Sequence, residues 1–320
     1  MTSLPAAQVG QTNLHVPILG LGTAPLGHSW TDIPEAQAHE TVHFALENGV
    51  TFFDTAPGYS AYLVEERLGR ALAGVPREQF VIATKAGRLV DAAGQPLLDF
   101  KRDTIRRSIE DSLTRLKLDS VDILHIHAPE TEEQFRDALD EAYPLLDDMR
   151  RQGTIKAVGV GENYWEPLVK WAADAHFDCF LLAGRYTLLE QGALDALNQF
   201  QQQRISVFGA GVYNTGILAQ GSTRDDVWYQ YAKAPGAMLD KTRQLEAICQ
   251  RHDVPLRAAA VQFVKAHPAI TALVIGAESA DQLSQTLDAL KTSIPAAFWA
   301  DLHTSGLIDA NAPLPVSLDT

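Results

Sequence analysis

Short apolar runs alternate with longer amphipathic stretches along nearly the whole chain, and few folds accommodate this alternation. Such a rhythm is typical of βα units built around a parallel sheet. About eight units can be counted, as many as close a barrel. The predicted strands are residues 19–22, 51–54, 81–85, 121–127, 157–160, 179–182, 205–209 and 271–275. We therefore predict an α/β protein with a (β/α)8 TIM barrel, and we expect residues 1–320 to form one domain.

Amphipathic helices are predicted between and after these strands. They cover residues 35–48, 62–73, 104–116, 131–152, 165–174, 195–203, 241–252 and 279–290, with an additional helix at 256–265. Residues 221–236 are rich in Trp, Tyr and Gly and are predicted to be a long loop after the seventh strand. Loops at this face of a barrel usually shape the active site. We expect this one to be a mobile cover over a ligand.

A doubly wound dinucleotide-binding fold is the alternative for such a pattern. It requires a glycine-rich turn after the first strand that opens directly into a helix. Gly20, Gly22 and Gly27 lie there, but their spacing is not G-x-G-x-x-G and no clear helix begins at that point. The barrel is therefore favoured.

Charge and composition narrow the classes of partner. The chain has 40 acidic and 26 basic side chains, a net charge of -14, which disfavours nucleic acid and anionic membranes as partners. Neither a secretory signal nor an apolar stretch of about 18 residues is found. We expect a cytoplasmic protein that acts on a small molecule.

Polar side chains end three neighbouring predicted strands. Strand two runs FFDTAPGY, with Asp54 at its tip and Tyr59 in the following loop; strand three ends at Lys85; strand four carries His125 and His127. Taken alone, Asp54 and Lys85 are explained by a structural ion pair. Because strand ends converge at the mouth of a barrel, all these groups can meet there. A lysine and a histidine beside a tyrosine are expected to lower its pKa from about 10 toward neutrality.

The two histidines point to the same side of their strand, and His127 is closer to the rim. His127 is thus the candidate for chemistry, whereas His125 is predicted to be a hydrogen-bonded interior side chain, with a role in lining the substrate pocket left open. Aromatic side chains could add a stacking face, although aromatic packing explains each of them as well. The candidate substrate residues are Trp30, Tyr59, Tyr62, His125, His127 and Trp228.

Several ordered motifs resemble the aldo-keto reductases across nearly the whole chain. They are GLGTAPLG, DTAPGYSAYLVEERLGRAL, VIATK, VDILHIHAP, GTIKAVGVGEN and LVIGAESADQL. LLAGRYTLLEQ and the GLGTAPLG start most resemble the bacterial aldose 1-dehydrogenases within that family. The resemblance implies a catalytic tetrad of Asp54, Tyr59, Lys85 and His127 and a nicotinamide cofactor, with no metal. It implies that Tyr59 is the acid/base, Lys85 stabilises its phenolate, Asp54 orients Lys85 and His127 holds the reacting oxygen.

The resemblance also implies where the cofactor binds. Glu162 and Asn163 follow strand five, where relatives hold the carboxamide, and Tyr213 is a candidate to replace the aromatic that often stacks on the nicotinamide. The pyrophosphate is expected on the backbone amides of residues 214–218. The complete set of expected cofactor contacts is Gly22, Thr23, Asp54, Glu162, Asn163, Tyr213, Asn214, Thr215, Gly216, Ile217, Leu218, Ile275, Gly276, Glu278 and Gln282.

The segment after strand eight bears on the choice of dinucleotide. Relatives that use NADP place Lys and Arg there, whereas GAESADQLSQT offers Glu278 and no cation lies between Pro268 and Leu290. A carboxylate repels a 2'-phosphate but accepts hydrogen bonds from a ribose hydroxyl. We predict NAD, with NADP possible if a distant arginine folds into this site.

The resulting functional hypothesis is the oxidation of the C1 hydroxyl of an aldose, of the L-fucose, L-galactose or D-arabinose type, to the lactone. A pyridoxal 4-dehydrogenase or a general aldehyde reductase with the same tetrad is the enzymatic alternative. A regulatory protein that kept the fold and the cofactor is the alternative from another class, and the intact tetrad argues against it.

Overall fold

Eight parallel strands close a barrel in the computed structural model, which describes residues 4–28, 31–91 and 93–315. The strands are β1 (Leu19–Gly22), β2 (Phe52–Asp54), β3 (Val81–Ala86), β4 (Ile123–His127), β5 (Ala157–Glu162), β6 (Cys179–Ala183), β7 (Ser206–Ala210) and β8 (Ile270–Gly276). Each pairs in parallel with the next, and β8 pairs with β1. The predicted TIM barrel is confirmed, and the doubly wound alternative is wrong.

Helices surround the barrel at the predicted places. They are α1 (Glu35–Glu47), α2 (Leu63–Ala71), α3 (Arg102–Leu116), α4 (Glu132–Asp137, a π-helical turn Ala138–Ala142, then Tyr143–Arg151), α5 (Trp165–Asp174), α6 (Leu194–Gln202), α7 (Ile217–Gln220), α8 (Gly236–Arg251), α9 (Leu256–Ala266), α10 (Ala280–Lys291) and α11 (Ala296–Thr304). Three differ from expectation: α8 begins five residues before the predicted 241, directly after Pro235, and neither α7 nor α11, which follows Pro295, was predicted. Proline is favoured at a helix start because its fixed φ suits the first turn.

A short N-terminal hairpin lies against the floor of the barrel, and the sequence pattern did not predict it. Its strands, Ala6–Gln8 and His15–Pro17, are joined by a turn whose Gly10 amide donates to Ser206 Oγ at 2.8 Å. Val9 and Val16 are fully buried in the same apolar cluster as the inward-facing Phe52 and Phe208. The floor is therefore packed, and the polar strand ends lie at the opposite, C-terminal face.

A buried carboxylate on α2 holds this helix against β3 and α3. Glu65 is fully buried, and it accepts hydrogen bonds from Thr84 Oγ1 and from Arg115 Nε, both at 2.7 Å. These contacts join α2 to β3 and α3. Since α2 follows the loop that carries Tyr59, and β3 carries Lys85, the carboxylate ties together the two segments that must meet at the mouth.

Removing this carboxylate should destabilise the protein strongly. We expect Glu65→Ala to lower the free energy of unfolding by about 3–5 kcal/mol, because the Arg115 guanidinium is left largely buried without its counterion. Chemical denaturation measures this. The control is Glu35→Ala, since the Glu35–Arg70 pair is exposed and should be worth no more than about 1 kcal/mol. Equal losses in the two variants would contradict the structural role of Glu65.

Candidate active site

A buried lysine connects the functional groups at the mouth of the barrel. Lys85, at the end of β3, is 2% exposed. Its ammonium donates to Asp54 Oδ2 at 2.7 Å, to the Thr55 carbonyl at 2.9 Å and to the Tyr59 hydroxyl at 3.0 Å. Asp54 ends the neighbouring strand β2, and Tyr59 follows it in the loop. The structure thus brings these three predicted residues into direct contact.

Burial and mutual attraction oppose each other in this pair of charges. Burial lowers the pKa of Lys85, but Asp54 and Tyr59 more than offset this effect, so the pKa lies above its ordinary value. Burial raises the pKa of Asp54, and Lys85 opposes that rise. Lys85 is therefore a stable ammonium, and a charge so deeply buried requires the three acceptors that surround it.

Tyr59 departs from the electrostatic prediction. Burial raises its pKa above the ordinary value, Lys85 lowers it by a smaller amount and Asp54 raises it further. The prediction that its neighbours bring this pKa toward neutrality is therefore wrong for the structure, although Lys85 acts in the predicted direction. The phenol is protonated at neutral pH and can donate a proton to a reacting oxygen.

His127 completes the group as a neutral imidazole. Its ring lies edge-on to that of Tyr59, with 6.3 Å between ring centroids. Burial, followed by the charges of Lys85 and Arg88, holds the pKa of His127 well below its ordinary value. Its Nδ1 has no hydrogen-bond partner among the described residues. A neutral imidazole can donate a hydrogen bond to a substrate oxygen without carrying charge into the site.

His125 lies one layer deeper, where interior packing was predicted. It is fully buried, edge-on to Phe208 at 6.1 Å, and a side chain at Gly159 would collide with its ring. Burial, assisted by Lys85, lowers its pKa to about 3. Neither ring nitrogen has a partner within the described residues. The packed interior position is as expected, whereas the expected hydrogen bonding is wrong.

The end of β5 contributes a second buried acid. Glu162 is 7% exposed, burial raises its pKa to about 8, and its Oε1 has no partner in the described chain. Arg88 and Glu130 are the charged groups that act on it most. The next residue, Asn163, is exposed, and its carbonyl accepts from Arg185 Nε at 3.1 Å.

In the loop after β7, two side chains that were predicted to contact the cofactor have partners within the protein. The Tyr213 hydroxyl lies 3.1 Å from Thr286 Oγ1 on α10, so the ring faces the helix that follows β8. The hydroxyl is therefore committed to α10, and stacking of the ring on the nicotinamide stays a prediction. The side-chain amide of Asn214 donates to the Gly184 carbonyl at 3.1 Å, and this bond connects the loop to the one after β6.

The backbone amides of the same loop are also partly committed. Those of Asn214, Gly216 and Leu218 donate to carbonyls within the loop, at 2.8, 3.0 and 3.1 Å. The prediction that all five amides of residues 214–218 receive the pyrophosphate is therefore wrong in this structure. The amides of Thr215 and Ile217 are the remaining candidates.

At the C-terminal ends of β1 and β8, the residues predicted to contact the cofactor are fixed in position by hydrogen bonds or by packing. Thr23 donates its hydroxyl to the Asp54 carbonyl at 2.8 Å, and Ile275 is buried. Gly22 and Gly276 allow close approach, since an added Cβ would lie 3.1 Å from Val274 and 2.9 Å from Pro25.

The loop after β8 leads to Glu278, whose Oε1 accepts from Thr31 at 2.9 Å and whose amide donates to Gln282 at 3.0 Å. An arginine on α9 reaches α10, the helix that follows this loop. Arg257 donates to the Ala219 carbonyl at 3.2 Å and also to the Gln285 side chain.

Two predicted substrate residues point elsewhere. The Tyr62 hydroxyl donates to the Val90 carbonyl at 2.6 Å and accepts from the Val90 amide at 2.9 Å, so it anchors the hairpin Arg88–Val90 and Pro96–Leu98. The Trp228 indole N–H donates to Asp226 at 3.0 Å. The polar groups of Tyr62 and Trp228 are therefore engaged within the protein in this structure, and Trp30 lies outside the described residues.

Sequence patterns missed Tyr231, which lies near the tetrad. The segment predicted as a loop at 221–236 contains a hairpin of Trp228–Tyr229 and Ala232–Lys233, with Tyr231 in its turn. Tyr231 is close enough to the tetrad to raise the pKa of Tyr59. Burial raises the pKa of Tyr231 itself, and Lys85 lowers it. Its only signal in the sequence was the aromatic composition of this segment.

A pH-dependent stability follows from Glu162. The pKa of its carboxyl is raised in the folded protein to about 8 from an ordinary 4.5, so the folded state holds a proton that the unfolded state releases. The contribution of this carboxyl to stability is then greatest below pH 4.5 and declines as the pH rises to about 8. We expect Glu162→Gln to remove this decline. The free energy of unfolding of the variant relative to the parent should therefore increase between pH 5 and pH 8, by up to about 3 kcal/mol. Chemical denaturation at both pH values tests it, and a pH-independent difference would contradict it.

None of the helices in the described ranges is long and apolar enough to cross a membrane.

Comparisons with known proteins place this site in a family. The model of the aldo/keto reductase family matches residues 18–305. D-threo-aldose 1-dehydrogenase of Pseudomonas sp is 35% identical over 315 residues, which cover 92% of this chain and 95% of the relative. Pyridoxal 4-dehydrogenase of Microbacterium luteolum is 34% identical, with 94% and 97% covered. L-galactose dehydrogenase of Arabidopsis thaliana is 28% identical, with 91% and 89% covered.

Solved structures agree on the fold. The holo form of an aldo-keto reductase from Bacillus halodurans superposes with a TM-score of 0.81 at 23% identity, covering 97% of this chain and 98% of the other. A glycerol dehydrogenase from Gluconobacter oxydans gives 0.79 at 23% identity, with 98% of each chain covered. With its barrel and the family match over most of its length, the chain belongs to the aldo-keto reductases, the NAD(P)-dependent oxidoreductases that act on small molecules.

Proposed function

We propose that this protein oxidises the C1 hydroxyl of an aldose, of the L-fucose, L-galactose or D-arabinose type, to the lactone with NAD. The observation that carries the proposal is the contact of the Lys85 ammonium with both Asp54 and the Tyr59 hydroxyl. A phenol beside a fixed cation can release and recover a proton at the reacting oxygen. Two relatives named for aldose and L-galactose oxidation support the substrate class.

Each residue of the tetrad has a distinct role in this proposal. Tyr59 takes the proton of the substrate hydroxyl during oxidation and returns it during reduction. Lys85 stabilises the phenolate, and Asp54 keeps Lys85 charged and in place. His127, neutral, donates a hydrogen bond to the reacting oxygen and thereby orients the substrate carbon. The nicotinamide, when bound, supplies the acceptor for the hydride.

The residues around the mouth suit a dinucleotide. Glu162 Oε1 and Asn214 Oδ1 are buried polar atoms without partners in the described chain, and buried polar atoms normally have partners. Glu162 lies at the C-terminal end of β5, and Asn214 lies in the loop after β7. We propose Glu162 and Asn163 for the carboxamide, the turn at Thr215 for the pyrophosphate, and the loop containing Glu278 for the adenosine ribose.

A reaction on pyridoxal is the second candidate, because the relative at 34% identity is named for it. The tetrad suits it equally. A general aldehyde reductase would share the tetrad too, and would run in the reducing direction.

The experiment is a panel of L-fucose, L-galactose, D-arabinose and pyridoxal, each with NAD and with NADP, followed by the absorbance of the reduced cofactor. We expect oxidation of at least one aldose with NAD, faster at alkaline pH because the raised pKa of Tyr59 keeps its basic form scarce at neutrality. Tyr59→Phe should lower turnover at least about 100-fold while the dissociation constant of NADH stays unchanged. Turnover of pyridoxal alone would move the assignment to the second candidate, and a fully active Tyr59→Phe would refute the acid/base role.

The preference for NAD is tested at Glu278. Its carboxylate would repel a 2'-phosphate, and Arg257 already donates to Ala219 and Gln285. We expect Glu278→Arg to tighten NADPH binding about tenfold or more, because a repulsive charge becomes an attractive one. Fluorescence titration with NADPH and NADH measures both constants. Asp240→Arg, an exposed change of equal charge on α8, should alter neither constant, and an equal effect of the two variants would show that net charge alone is responsible.

A further inference from the structure

We propose that Tyr231 determines substrate specificity by covering the solvent side of the substrate, with its ring against a flat, ring-shaped substrate such as a pyranose. This inference rests on the proposed function and deepens it. It follows from the position of the hairpin turn that carries Tyr231, from the contacts that hold this turn, and from what lies beneath it.

The turn has a backbone conformation that its residues do not favour. Gln230 and Tyr231 are the two central residues of the hairpin, with φ of +47° and +66°. A two-residue turn with positive φ at both positions normally contains Asn or Gly. A left-handed conformation is unfavourable for other residues. Such backbone strain persists only where surrounding contacts impose it, and it is concentrated at functional sites.

The contacts that impose this conformation come from two loops at the mouth. The Tyr229 hydroxyl and the Gln230 side-chain amide both donate to Glu190 in the loop after β6, and Glu190 also pairs with Arg185 at 3.1 Å. The Tyr231 amide donates to Thr215 Oγ1, in the loop after β7, at 3.3 Å. The turn is therefore held across the ends of two strands.

The tetrad lies beneath this turn. Burial around the hydroxyl of Tyr231 raises its pKa most, Lys85 and Arg185 both lower it, and Tyr231 in turn raises the pKa of Tyr59. Lys85 is 2% exposed, whereas Tyr231 is 64% exposed. Tyr231 thus lies on the solvent side of the groups that must touch the reacting oxygen. In this proposal, a substrate bound to Tyr59 and His127 lies between them and Tyr231.

The chemistry of a tyrosine side chain fits a sugar ring. Its apolar face packs against the C–H face of a pyranose. Covering a large exposed aromatic ring on binding is favourable through the apolar area removed from water. A short aliphatic aldehyde is too small to gain from the same contact, so Tyr231 distinguishes substrates by their shape.

The neighbouring Trp228 provides a matched control. It is an exposed aromatic side chain on the same hairpin, but adjacent strand residues point to opposite faces, and Tyr229 faces Glu190. Trp228 donates to Asp226 instead. Its removal tests the general effect of losing an aromatic ring from this hairpin.

The experiment compares Tyr231→Ala, Tyr231→Phe and Trp228→Ala in the full-length protein. We expect Tyr231→Ala to raise the KM for an oxidised aldose about tenfold, with kcat changed less and the dissociation constant of NADH unchanged. Reduction of propionaldehyde should keep its KM. Tyr231→Phe should retain most of the affinity because the ring remains, and Trp228→Ala should resemble the parent.

Three results would overturn the inference. One is an unchanged aldose KM in Tyr231→Ala while the parent is active, which leaves the proposed function intact. Another is a loss of NADH affinity that equals the rise in KM, which would make Tyr231 a cofactor contact. The third is a parent inactive on every ring-shaped substrate, which refutes this inference together with the proposed function.

Discussion

The ion pair between Lys85 and Asp54 is the interaction on which the arrangement of the mouth depends. An ammonium that is 2% exposed would be several kcal/mol unfavourable without acceptors, and its three acceptors all come from β2 and the loop that follows it. The charge therefore holds β2, β3 and the Tyr59 loop in one relative position. A shift of either strand by one residue would turn the lysine or the aspartate toward the surrounding helices.

Four other ionisable groups near this ion pair are kept uncharged. His125 and His127 are neutral because burial lowers the pKa of both, and Glu162 is protonated at neutral pH because burial raises its pKa. Tyr59 is protonated for the same reason. A fixed ion pair beside these four neutral groups suits a reaction in which a proton moves at an oxygen next to the lysine.

Elements far from the mouth support this arrangement through packing. The N-terminal hairpin closes the floor with Val9 and Val16, and Glu65 joins α2 to β3 and α3 through buried hydrogen bonds. On the solvent side, the hairpin with Tyr231 crosses between the loops after β6 and β7. The site is thus fixed from below and from behind, and it is bordered above by a turn whose strained backbone depends on Glu190 and Thr215.

The sequence alone determined the barrel and the group of residues at its mouth. Apolar runs and amphipathic stretches each carry their own periodicity, and all eight strands begin and end within two residues of their predicted bounds. Parallel strand ends converge in any such barrel, so Asp54, Lys85 and His127 had to lie near one another. Tertiary structure decided what depends on distant partners. The committed hydroxyl of Tyr62, the direction of Tyr213 and the position of Tyr231 follow from contacts with residues far along the chain. The raised pKa of Tyr59 follows from desolvation, which exists only once the chain has closed around the phenol, and no local pattern of residues records how much water is excluded.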